Sequence, residues 1–117
     1  MRRTIDAEAG LAWDCSNGPH RGRVYLVYTD RPTSSSMDTD IYLRHSDDNG
    51  ATWTAPLRVN DDMAGNGKSQ FLPRIALDQT TGCIAISFYD CRNSAANSTA
   101  EYGPPPVSTA AKTYCRT

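Results

Sequence analysis

Residues 45–56 read HSDDNGATWTAP, with adjacent carboxylates at Asp47 and Asp48, an amide at Asn49, a glycine at 50, and then Trp53 and Pro56. Both flanks look like strands. TDIYLRHS (39–46) alternates Ile41, Leu43 and His45 against Tyr42, Arg44 and Ser46, and TAPLRVN (54–60) sets Leu57 and Val59 on one face. Pro56 suits a strand start or an edge. The acidic stretch is therefore expected to be the turn of a hairpin. Gly50 supplies the positive φ such a turn needs. A short carboxylate there can accept hydrogen bonds from successive backbone amides, the role expected of Asp48. Ser46 and Thr52 flank it with hydroxyls, and Trp53 is expected to pack as an apolar plug.

Outward from this turn the chain reads as strands and turns, with no convincing helix. RVYLVYTD (23–30), FLPRIALD (71–78) and CIAISFYD (83–90) are rich in β-branched and aromatic residues. Turn residues cluster at 16–22, 31–38, 47–51, 60–69 and 79–82. A repeat emerges when GLAWD…GRVYLVYTDR (10–31) is set beside PRIALD…GCIAISFYDCR (73–92). Each half has a short strand ending in Asp (Asp14, Asp78), a turn ending in Gly (Gly22, Gly82) and a longer strand ending in Asp (Asp30, Asp90). The two glycines lie 60 residues apart, as do the two terminal aspartates. An all-β chain of antiparallel four-stranded units follows, each of propeller-blade length.

Ser46-Asp47-Asp48-Asn49-Gly50-Ala51-Thr52-Trp53 fits S-x-D-x-G-x-T-W, and so resembles the Asp-box, or BNR repeat, of sialidase-like β-propellers. The resemblance extends over about residues 9–93. It implies one full blade over about 9–60 and the start of the next over about 70–92, within a partial propeller domain of residues 1–93, the whole propeller having six blades. Residues 94–117 are rich in Ala, Ser, Thr and Pro and are expected to be an irregular tail. The family's box lies on the outer rim, which implies a structural role for Ser46, Asp48, Gly50, Thr52 and Trp53.

A sialidase also needs an arginine triad, a Tyr–Glu pair and an acid/base Asp. FLPRIAL places Pro73 before Arg74, out of order for the family's arginine motif, and Glu8 and Glu101 lie in no recognisable motif. Tyr89, Asp90 and Arg92, in FYDCR, are the remaining catalytic candidates with Arg74. The plainer reading of the Asp–Arg pair is a cap on a strand end. The resemblance thus implies a fragment of a glycan-acting, sialidase-like protein, extracellular or periplasmic, without a complete active site of its own. The alternative is a non-catalytic module for adhesion or carbohydrate and protein binding. An open blade also invites self-association through unpaired sheet edges.

Composition excludes other classes. Of 117 residues 38% are hydrophobic and 21% charged, and the net charge of −1 offers no grip on nucleic acid. No apolar run approaches the ~20 residues of a membrane span, and Met1–Asp6 is not followed by the apolar core of a signal peptide. No cofactor is expected. Asp47, Asp48 and Asn49 are consecutive and cannot converge on calcium as an EF-type loop does, which leaves Asp38, Asp40, Asp61 and Asp62 as candidate loop ligands. Cys15, Cys83, Cys91 and Cys115 include no CxxC pair, so a structural zinc is not expected. Cys83 and Cys91 bracket one strand and cannot meet. Cys15–Cys83, Cys91–Cys115 or free buried thiols all remain open. Asn97-Ser98-Thr99 is a formal glycosylation sequon.

Overall fold

The computed structural model describes residues 9–31, 39–60, 70–90 and 108–115, with 108–110 as backbone alone. Among them lie seven strands: β1 (Gly10–Trp13), β2 (Val24–Asp30), β3 (Asp40–Ser46), β4 (Leu57–Arg58), β5 (Gln70–Leu77), β6 (Ile84–Asp90) and β7 (Ser108–Tyr114). They form two antiparallel meanders, a first sheet in the order β1-β2-β3-β4 and a second in the order β5-β6-β7. No helix occurs among the described residues, so the all-β, antiparallel expectation holds.

Alternation sets the core. Tyr25 and Val27 on β2 and Ile41 and Leu43 on β3 turn one way, and Ile84, Ile86 and Phe88 on β6 turn to meet them, all buried together with Val59. Ile75 and Leu77 on β5 pair with Ile86 and Ile84, so they share this inward face. The sheets therefore stack face to face, with β5 lying against β1, β2 and β3. Contact is close at Gly10, where a Cβ would stand 3.3 Å from Val27 and 3.5 Å from Ile75.

Polar bonds tie the sheets at both ends. At one end Gln79 receives the Cys15 amide at 2.8 Å and donates to the Trp13 carbonyl at 3.0 Å. At the other, the Gln70 amide donates to the Thr39 carbonyl at 2.9 Å, and the Thr39 hydroxyl donates to the Gln70 carbonyl at 2.7 Å.

The repeat is physical. Asp14 N–H donates to Arg23 O at 2.8 Å and Gly22 N–H to Asp14 O at 2.7 Å. Asp78 N–H donates to Cys83 O at 2.8 Å and Gly82 N–H to Asp78 O at 2.7 Å. Both glycines hold positive φ, 92° and 79°, which closes a nine-residue and a five-residue loop with the same pair of bonds.

Three expectations need correction. Residues 108–114 are not an irregular tail but the third strand of the second sheet, because β6 offers a complete backbone ladder to a partner of any sequence. Cys83 bonds to Cys115, a pairing the spacing did not suggest, because the Ile84–Tyr114 register brings the two Cα atoms within 4.4 Å. Cys15 is exposed and free. The strand expected over 54–60 shrinks to Leu57–Arg58: Pro56 has no N–H to give the ladder, and Thr54 closes instead on His45. Cys91, Arg92, Asp38, Asp61, Asp62 and the sequon at 97–99 lie outside the described residues.

Candidate functional site

The β3–β4 turn is held by its own side chains. Asn49 and Gly50 both adopt positive φ, 61° and 89°, as the central residues of a type I′ turn do. Ser46, buried at the end of β3, donates its hydroxyl to Asp48 Oδ1 at 2.7 Å and accepts the Gly50 amide at 2.9 Å. Asp48 Oδ1 also accepts the Thr52 amide at 2.8 Å, and Oδ2 accepts the Thr52 hydroxyl. The Thr52 hydroxyl and amide, then the Ser46 hydroxyl, pull the Asp48 carboxyl down to a pKa of about 2. Thr54 then closes the hairpin, its amide donating to His45 O at 2.9 Å and its hydroxyl accepting the His45 amide at 3.0 Å.

Trp53 is not a buried plug. It is 36% exposed and folds back over the turn, its indole N–H donating to the Gly50 carbonyl at 3.1 Å. The turn lies at the surface, and the ring covers its own backbone.

Asp47 points away from the clasp. Arg23 grips it with two bonds, Nε at 2.8 Å and Nη2 at 3.1 Å, and His45 Nε2 lies 3.8 Å from Oδ2. The Arg23 guanidinium holds the Asp47 carboxyl below its usual range, and Asp47 raises Arg23 in return. Partial burial, and then Arg23, push the His45 imidazole down, which favours its neutral form. His45, Asp47, Asp48, Thr52, Trp53 and Thr54 line an open groove of about 250 Å³. It offers an aromatic ring and hydrogen-bonding groups, and the bonds that lower both carboxyls favour their ionised forms, the reverse of what a general acid needs.

Of the catalytic candidates within the described residues, Asp90 faces away from Tyr89 and Arg74. Asp90 faces the core, buried, and accepts from Gln70 Nε2 at 2.7 Å. Tyr89 points the other way, 43% exposed and stacked on Phe71 at 5.5 Å between ring centroids. Arg74, opposite Ser87, lies on the outward side with Tyr89. A bulge separates Phe71 from Arg74, with Leu72 at a φ of 53° and Pro73 buried beside it. Asp40, a candidate calcium ligand, is already occupied: Arg58 lies 3.2 Å away, and Asn60 donates to its Oδ1 at 2.8 Å. Among the described residues, no group of three or more His, Cys, Asp or Glu side chains is arranged to hold a metal ion.

A buried polar chain escaped the sequence reading. From Asp40 it runs through the Asn60 amide, which also donates to Gln70 Oε1 at 2.9 Å, and on through Gln70 to Asp90. Asn60 Oδ1 accepts the Ile41 amide at 2.8 Å. Gln70 and Asn60 look like ordinary turn residues in sequence, and only the stacking of the sheets makes them neighbours.

Compared with known proteins, the chain matches no family model and no curated protein.

Proposed function

We propose that this chain is a scaffold segment of a sialidase-like β-propeller that acts on glycans. The observation that carries this reading is the clasped turn at 46–53, where S-x-D-x-G-x-T-W residues bind one another between the third and fourth strands of a four-stranded meander. Stacked antiparallel meanders with a 60-residue repeat add support, since blades pack in that manner. In this reading the Asp-box is structural and the chemistry belongs to residues elsewhere in the propeller. Fold likeness alone does not assign a reaction, so the reading stands or falls on assay.

A second reading, a non-catalytic carbohydrate-binding module, draws on the groove beside the turn. Trp53 offers part of its ring next to His45 and Asp47, a combination suited to stacking and hydrogen bonding a hydroxylated ring.

The two are separated by assaying a longer polypeptide carrying this segment on a fluorogenic sialoside, while titrating sialyllactose into the 117-residue chain and following tryptophan fluorescence. Turnover by the former with no response from the latter is the expected result. A saturable fluorescence change without turnover transfers the assignment to the binding module. Silence in both removes the glycan reading.

A further inference from the structure

The outward face of the first sheet carries Leu11, Trp13, Val24, Leu26 and Tyr28, with Leu11 67% and Trp13 53% exposed. Large apolar groups at that exposure on one sheet face call for a partner surface. The repeat identifies what kind. Gly22 and Asp30 correspond to Gly82 and Asp90, so Val24, Leu26 and Tyr28 correspond to Ile84, Ile86 and Phe88. The registers extend the match: Trp13 opposite Val24 answers to Leu77 opposite Ile84, and Leu11 opposite Leu26 answers to Ile75 opposite Ile86. Every one of those second-sheet residues faces the interface between the sheets.

The sheets therefore meet head to tail. The face that the second sheet buries is the face that the first sheet leaves open. By the same correspondence, the surface that receives the second sheet (Ala12, Tyr25, Val27 and Thr29 on the first) is repeated as Ala76, Ala85, Ser87 and Tyr89 on the outward side of the second. There Ala76 and Ala85 are exposed, as are Ala111 and Thr113 on β7. Phe71, Arg74 and Tyr89 stand at one end of this face, and the short side chains at the other end leave a shallow stretch over Ala76, Ala85 and Thr113, with room for the bulk of Leu11 and Trp13.

We infer that a second copy of this chain docks its outward second-sheet face on the outward face of the first sheet, continuing the internal stacking between molecules. Such an interface is heterologous, so it leaves one face of each kind free in any open assembly and extends to a ring or a filament. Nothing in it depends on glycan recognition.

Sedimentation velocity over a range of concentrations tests this with two substitutions at exposed positions, Trp13→Arg on the first sheet and Ala85→Arg on the second. Leu11→Arg and Thr113→Arg stand in if either fails to give a native β-sheet circular dichroism spectrum. Wild type is expected to associate with rising concentration, and each variant alone to remain monomeric. An equimolar mixture of the two variants should form a dimer and nothing larger, because each retains the face the other lacks.

Three results would overturn the inference. Wild type could be monomeric throughout, as when another sheet of a longer polypeptide is the occupant. Association could survive Ala85→Arg but not Trp13→Arg, which is front-to-front pairing. It could also survive both substitutions, which is pairing through sheet edges.

Discussion

Asp48 shows how a carboxylate with every appearance of a ligand can be spent on its own backbone. Both of its oxygens are taken by Ser46 and Thr52, which is why its pKa falls to about 2. A carboxyl whose folded pKa lies below its unfolded value stabilises the fold above the unfolded value and loses that contribution as pH falls through the folded one. Asp48→Ala is therefore expected to lower the melting temperature at pH 7, and the gap to wild type should close between about pH 4 and pH 2. A pH series of thermal melts on both proteins checks this. The clasp was legible because its chemistry is local, with the partners of Ser46 and Asp48 within four residues. The seating of Trp53 was not, since whether a ring finds a cavity depends on what lies opposite. The two loop glycines make a second residue-scale comparison. At Gly22 nothing stands within 4 Å of an added Cβ, so Gly22→Ala bears only the cost of positive φ, about 1 kcal/mol. At Gly82 the Cβ would meet Asp14 Oδ2 at 3.0 Å and Ser16 Oγ at 3.1 Å, and Gly82→Ala should lose more, about 2–3 kcal/mol. Urea denaturation of the pair measures the difference.

At the scale of the element, alternation is a dependable guide and edges are not. β2, β3 and β6 were readable because period-two apolar patterns have few rivals in a chain without helical spacing. β4 and β7 lie at the sheet edges, where a strand is chosen by the ladder its neighbour offers. β7 is the clearer case: its Ser, two Ala and Lys dilute the β signal of two Thr and Tyr114, yet its backbone pairs with β6 along its whole length. The Cys83–Cys115 bond fixes the end of that pairing. Reduction, or Cys115→Ser, is expected to cost about 2–4 kcal/mol. Hydrogen exchange should locate the loss, with faster exchange along β6–β7 while the β2–β3 ladder keeps its protection.

For the whole molecule, two sheets become one body through an apolar centre and polar ties at either end. Asp40, Asn60, Gln70 and Asp90 join β3, the segment after β4, β5 and β6 in one buried chain. Gln70→Met keeps the volume but removes both amide partners, and is expected to cost about 2–4 kcal/mol because Asn60 and Asp90 lose a buried bond each. Ile86→Ala at the apolar centre should cost a similar ~2–5 kcal/mol. Additivity of the two in a double variant, read from chemical denaturation, would show that centre and tie act independently; a large coupling would show one cooperative interface. The sequence by itself determined the all-β class, the clasped turn at 46–53 and the matched loops closed by Gly22 and Gly82. Each rests on alternation or on bonds between residues a few places apart. The tertiary structure alone decided the Cys83–Cys115 bond, β7, the buried Asp40–Asp90 chain and the opposite facing of Tyr89 and Asp90. Those depend on which sheet face meets which, a choice made by the burial of Ile84, Ile86 and Phe88 with Tyr25, Val27, Ile41, Leu43 and Val59, residues at least 25 positions away.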